Sequence, residues 1–214
     1  MKSFLDACTD VHPVGAAYVR AETVQIDSWG RIGNAGWSWE RLFPYYMKSE
    51  RLTPPNDTQV WAGASADPVY HGQHGPVHIG FMDIQKQSHD LTSVLNRTLR
   101  SMGVPWNSDL NSGHVRGITL HPSTVDKTNI RSDAARAYYW PYIQRSNLHV
   151  SLNSFVTRVL WRGQEDGEHL TAKGVECTIA GKIDVLQARK EVILAAGAMR
   201  SPAILEMSGV GNPR

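Results

Sequence analysis

Cysteine is nearly absent from this chain of 214 residues, with Cys8 and Cys177 the only two. Without a CxxC pair, a disulfide framework, a zinc ribbon and dithiol redox chemistry are excluded, and both side chains read as ordinary thiols. A surplus of one charge is also missing. Lys plus Arg is 22 against 20 Asp plus Glu, and the net of +2 is too small for a footprint that would hold nucleic acid or a membrane surface. No uncharged apolar run approaches the ~20 residues of a spanning helix, so a soluble chain is expected. Met1–Val14 carries Asp6 and Asp10 but no apolar stretch of the ~7–15 residues found in a secretory leader. No signal peptide is expected, and the localisation stays unknown.

What is present is turn-rich. The 18 Gly and 11 Pro fit a globular chain with many loops and exclude collagen-like and disordered classes, while the length suits one large domain or two small ones. Val24, Ile26, Trp29 and Ile32 recur at helical spacing, and Gly33-Asn34-Ala35-Gly36 closes that helix. Ser38 is the expected N-cap of a second helix with Trp39, Leu42, Phe43, Tyr46 and Met47 on one side, Pro44 lying in its first turn or kinking it. Residues 52–80 read as loop. Further helices are expected over 89–103, with Gly103 just past the end, and over 132–142, with Ser132 as N-cap.

After Asn147 the texture becomes β-like, with runs at 148–152, 155–160, 173–180 and 183–186. Residues 191–194 form a continuous apolar run expected to be a strand buried on both faces. It leads into Ala195-Ala196-Gly197-Ala198 and a helix with Ser201 as N-cap and Pro202 at N1. Strand, small-residue turn and helix is the arrangement by which α/β folds bring the main chain close to a cofactor. Ala196 and Gly197 lack bulk where the strand ends, and the helix amides beyond add a partial positive field.

Other constellations are weaker. His71-Gly-Gln-His74-Gly-Pro-Val-His78 has an HxxHxxxH pattern that could bring imidazoles to a metal. Gly72, Gly75 and Pro76 break any helix that would align them, so the run reads as a glycine-rich turn entering a strand and no metal site is expected. Glu206 stands where a nucleophile elbow around Ser208 would need glycine. Trp29, Trp37, Trp39, Tyr45 and Tyr46 fit core packing or, alternatively, the lining of a sugar or aromatic-alcohol site. Arg131, Asp133 and Arg136 read as a charge cluster at a helix start.

The run GAMRSPAILEMSGVG, Gly197–Gly211, resembles the second signature of the glucose-methanol-choline (GMC) family of FAD-dependent oxidoreductases: Gly197, Ala198, Ser201, Pro202, Ile204, Leu205, Ser208, Gly209, Val210 and Gly211 all fall at its fixed offsets. Likeness extends upstream through Ile26-Asp27-Ser28-Trp29, Gly33–Trp39, His71-Gly72, Gly75-Pro76-Val77 and Arg131–Arg136, and is strongest to fungal glucose-oxidase-like and aryl-alcohol-oxidase-like members.

That resemblance implies FAD as cofactor, with Val156 touching the adenine end through its backbone, Ala196 and Gly197 at the turn beside it, and Gly15, Ala16 and Ala17 close to the flavin ring. It implies oxidation of an alcohol or sugar CH–OH to a carbonyl, with hydride passing to the flavin and small molecules as the only partners. In fold it implies an α+β character, an incomplete α/β: part of an FAD-binding sheet plus part of a substrate domain. Residues 1–14 are then an unrelated lead-in and 15–214 the family's N-terminal region, β-rich from about 147. The family's phosphate-cradling GxGxxG does not occur, and its catalytic histidine matches none of the nine here. No catalytic residue is therefore assigned, and the chain alone is expected to be inactive. The alternative is a non-enzymatic carbohydrate-binding module built on the aromatic set, and oligomeric state is left open.

Overall fold

A computed structural model describes residues 16–83, 86–162 and 170–212. The chain forms two compact units, Met1–Arg145 and Ser146–Arg214, which mix helix and sheet.

In the first unit, α1 (Thr23–Arg31) leads to α2 (Trp39–Ser49), which runs directly into strand β1 (Glu50–Leu52). Gln25 Oε1 accepts the Glu22 N–H at 2.9 Å at the head of α1. Ser38 caps α2 as expected, its hydroxyl accepting the Arg41 N–H. Asp27 ties the two helices by accepting the Trp39 N–H at 2.8 Å. Of the two places expected for Pro44 the first turn is excluded: it lies inside α2, where its missing N–H removes the bond to the Glu40 carbonyl. Of the four apolar positions that suggested α1, only Ile26 is buried.

The expected loop over 52–80 instead holds α3 (Asp57–Trp61), a 3₁₀ turn at Pro68–Tyr70 and strand β2 (Val77–Ile79). These elements are too short to leave a periodic pattern. β2 pairs parallel with β1, Leu52 opposite Ile79, and the core gathers there with Ala62, Ala64, Phe81 and Val125. The glycines before β2 are set by close approach. A Cβ on Gly72 would stand 1.8 Å from the Met47 carbonyl oxygen, and one on Gly75 would stand 2.3 Å from the Glu50 nitrogen.

Helix α4 (Lys86–Ser101) is followed by Gly103 at φ +89°, the left-handed stop that the sequence suggested. The expected helix over 132–142 is a π-helical turn, Ala135–Tyr139, running into a 3₁₀ turn, Trp140–Tyr142. Asp133, not Ser132, accepts the Arg136 N–H there, because the Ser132 hydroxyl is taken by the His78 N–H.

In the second unit, β3 (Ser154–Arg162), β4 (Thr171–Ile179) and β5 (Lys182–Gln187) form an antiparallel sheet in that order, with helix α5 (Gly197–Met207) against β3. Val159, Cys177 and Ile204 are its buried apolar side chains. The β4–β5 hairpin turns through Ala180 and Gly181, at φ 49° and 80°, as a two-residue turn with both centres left-handed.

Two expected strands are absent. Residues 148–152 and 191–194 have no ladder partner among the described residues, and Ile193 is 75% exposed rather than buried on both faces. A strand of the parallel type exists only where neighbours supply its hydrogen bonds, which an apolar run cannot do alone. α5 also starts earlier than expected. Gly197 takes φ +83°, and Ser201 sits inside the helix with its Oγ accepting the Ala196 N–H at 3.0 Å. Among the described residues no helix is long and apolar enough to cross a membrane.

Candidate cofactor-binding site

An open cavity of about 610 Å³ lies in the second unit, within the range of small-molecule sites. Val156, on β3, and Ala196, at the head of α5, both line it, together with Val175, Leu186, Leu194 and Ile204. Forty residues of sequence separate the first two, and only the fold brings them to one wall. Gly197 is the next residue. Nothing lies within 4 Å of where its Cβ would be, so its φ of +83° and not crowding requires glycine.

The Val156 carbonyl accepts from Arg200 Nη2 at 3.4 Å, and the Arg200 guanidinium stands 4.1 Å from the Phe155 ring centre. This fixes the edge of β3 beside the cavity. The lining is mostly aliphatic, with the two small residues Ala195 and Ala196 at the mouth of the turn, and so fits a flat aromatic ring such as the adenine of FAD. No side chain caps the first amides of α5. The fit stops there, because the sequence has no GxGxxG to cradle a pyrophosphate.

Ala16 and Ala17 belong to the first unit. Ala16 is buried and its carbonyl accepts the Thr124 N–H at 2.7 Å, while Ala17 is exposed and bridges to Ser123. Gly15 lies outside the described residues.

Sequence reasoning missed a buried charge cluster in this unit. His71 Nδ1 is 3.0 Å from Glu50 Oε1 and Nε2 is 2.9 Å from Asp109 Oδ2, with all three side chains at 2% exposure or less. Arg20 Nη2 stands 3.0 Å from the same Glu50 oxygen. Burial alone would lower the His71 pKa, but the bonds to Asp109 and Glu50 push it up to about 9. Burial would raise the two carboxyls, yet His71 with Arg20 holds Glu50, and His71 with the Asp67 N–H holds Asp109, below their ordinary values. Burial and the Glu50 charge push the Tyr18 phenol to about 12. These residues come from four distant segments, and no local spacing announces them. The one available signal was His71 itself, at the start of the glycine-rich turn.

With both ring nitrogens of His71 engaged by carboxylates, the three histidines of the HxxHxxxH run do not converge. Among the described residues no group of three or more His, Cys, Asp or Glu could hold a metal. The aromatic set is not core either. Trp29 and Trp37 pair at 6.0 Å but are half exposed and Tyr45 is exposed, whereas Trp39 packs on Phe43 and Tyr46 at 5.5 and 6.1 Å. Arg131 and Arg136 line a small cavity with His78 and Asp126.

The chain is 44% identical over 190 residues to the glucose oxidase-like protein fsoC of Humicola fuscoatra, and 38% identical over 198 residues to a glucose oxidase of Penicillium chrysogenum. These alignments cover 87% and 92% of this chain but only 32% and 33% of the relatives, so it spans about a third of their length. Among solved structures, an FAD-dependent oxidoreductase from Chaetomium thermophilum superposes with a TM-score of 0.78 at 31% identity, over 91% of this chain and 33% of that one. A fungal aryl-alcohol oxidase shares the fold, at a TM-score of 0.75 and 24% identity over the same shares. A strand edge, a small-residue turn and a signature helix around one apolar cavity are thus set in a sequence whose residues 15–214 match the GMC oxidoreductase model, and the chain belongs to the GMC oxidoreductase family.

Proposed function

We propose that this chain forms part of an FAD-dependent oxidoreductase acting on CH–OH groups, converting a small alcohol or sugar to a carbonyl. The observation that carries the reading is the convergence of Val156 and Ala196 on one apolar cavity beside the family's signature helix. When bound, FAD supplies the hydride acceptor. The chain's own part is to bind and orient it. Val156 and Ala196 hold the adenine end, Gly197 lets the main chain turn without a side chain in the way, and Ala16 and Ala17, with Gly15 before them, border the flavin. In domain terms, 15–214 is the family's N-terminal region, comprising part of an incomplete α/β cofactor sheet and part of the substrate domain. The carbohydrate-binding alternative draws no support from the relatives named above.

Calorimetric titration of the chain with AMP and FAD tests the reading. Both are expected to bind, and Ala196→Trp, which fills the cavity, is expected to weaken them at least about tenfold, the equivalent of 1.4 kcal/mol. Unchanged binding in Ala196→Trp, or no binding of either ligand by the parent chain, counts against it.

A further inference from the structure

The cluster around His71 has no part in the cavity just described, and its geometry constrains its protonation. A neutral imidazole carries one N–H. With carboxylate oxygens 3.0 Å from Nδ1 and 2.9 Å from Nε2, a neutral His71 would aim a ring lone pair at one of them with no proton between. Neither carboxylate is set up to supply that proton. Glu50 Oε1 already accepts the Gly72 N–H at 2.7 Å beside the Arg20 guanidinium, and Asp109 accepts the Asp67 and Asn111 N–H groups, each at 2.7 Å. An imidazolium donates to both. It also balances the cluster, with Arg20 and His71 against Glu50 and Asp109, which buried charge requires. Glu50 reaches the ring from β1 and Asp109 from the loop before β-bridge residue Ile118; Arg20 and the Tyr18 hydroxyl face Glu50 from behind.

Arg20 carries the cluster's geometry outward. Its N–H donates to Asn111 Oδ1 at 2.8 Å and its Nη1 donates to the Tyr70 and Asn111 carbonyls at 2.7 and 3.0 Å. Four residues earlier, Ala16 accepts the Thr124 N–H, and between them the Tyr18 N–H donates to the Pro122 carbonyl at 2.8 Å. The stretch Ala16–Arg20 is therefore held by its backbone to residues 122–124 and to Asn111, and to the charge cluster by its terminal guanidinium.

We propose that His71, held as an imidazolium between Glu50 and Asp109, is a positioning residue that fixes the Ala16–Arg20 segment through Glu50 and Arg20. Its consequence for the cofactor rests on the reading of Ala16 and Ala17 given above, but the clamp itself does not. Deprotonation would remove one donor, set a ring lone pair against a carboxylate, and leave the cluster with a net negative charge behind Arg20.

Hydrogen exchange on the full chain, without cofactor, tests this. Because the folded His71 pKa is raised, the clamp's stabilising contribution is complete below about 6.5 and is lost as pH rises through about 9. Once corrected for intrinsic rates, protection of the Tyr18, Arg20 and Thr124 amides should fall across that window on the order of a hundredfold, while amides in α4 hold theirs. ¹⁵N shifts of the His71 ring should titrate from imidazolium to neutral with a midpoint near 9. His71→Gln, which donates at one end only, should start at low protection and lack the pH step. The proposal is overturned if His71 titrates near 6.5, if α4 loosens together with the Ala16–Arg20 segment, or if His71→Gln keeps the step. Should the variant not fold, the titration of the parent chain decides alone. A pH step together with no FAD binding would uphold the clamp and defeat the cofactor reading.

Discussion

Ser208 Oγ accepts the Val159 N–H at 2.7 Å while donating to the Ile204 carbonyl, and the Ser208 carbonyl accepts the Trp161 indole N–H at 2.7 Å. β3 is an edge strand of the three-stranded sheet, so Val159 presents its N–H to a helix end instead of a neighbouring strand. The Ser-Gly of the signature thus has a structural task. It clips α5 to the strand that carries Val156, and so sets the width of the cavity between them.

Ser208→Ala removes the acceptor and leaves the Val159 N–H without its partner, which costs about 1–3 kcal/mol. Hydrogen exchange at Val159 should speed up correspondingly, with the amides of β5 much less affected. Equal acceleration throughout the sheet would mean that the clip is not local.

At the β4–β5 turn, Ala180 sits at φ 49°. A residue with a Cβ pays roughly 1–2 kcal/mol in this left-handed region, and asparagine tolerates it better. Ala180→Asn yields the Asn-Gly pair favoured by this turn. It should stabilise the second unit by about 1 kcal/mol, read as a higher urea midpoint with an unchanged slope.

Glycines at 72 and 33 should respond very differently to alanine. At Gly72 a Cβ would meet two backbone oxygens, of Met47 and Glu50, at 1.8 and 2.8 Å, and neither can move without dislodging the end of α2. At Gly33 nothing lies within 4 Å and only φ +107° resists. Gly72→Ala should therefore cost more than about 4 kcal/mol and abolish soluble expression, while Gly33→Ala costs about 1–2 kcal/mol and leaves the fold intact.

The sequence made some of this legible and not the rest, for physical reasons. Ser38 and Gly103 are recognisable because capping depends on a residue and its immediate neighbours. β3, β4 and β5 follow from the β-like runs at 155–160, 173–180 and 183–186 with Gly181 between the last two. Val192-Ile193-Leu194 failed because a buried strand is defined by its neighbours. Ser132 and Ser201 failed differently, since a hydroxyl able to cap may be claimed elsewhere: by His78 in one case, by Ala196 in the other. Val156 and Ala196 were named from resemblance, and the cavity they share is a property of the fold. The charge cluster is tertiary throughout, joining residues 20, 50, 71 and 109.

That cluster also sets the acid limit of the first unit. Glu50 and Asp109 have folded pKa values below their ordinary 4.5 and 3.8. The unfolded chain therefore binds their protons first as pH falls, and their contribution, complete above about 4.5, is lost as pH drops through the folded values. Each proton taken up in this way lowers stability by about 1.4 kcal/mol per pH unit, so where both titrate the slope approaches about twice that. Urea midpoints measured on signals of the first unit should be nearly level from about pH 5 to 6.5 and fall steeply below about 4. Glu50→Gln should lower the level part, because Arg20 and His71 lose their shared anion, and should also flatten the acid slope, since one of the two protons is no longer taken up. A variant that lowered the level part but kept the parent slope would place the acid sensitivity outside this cluster.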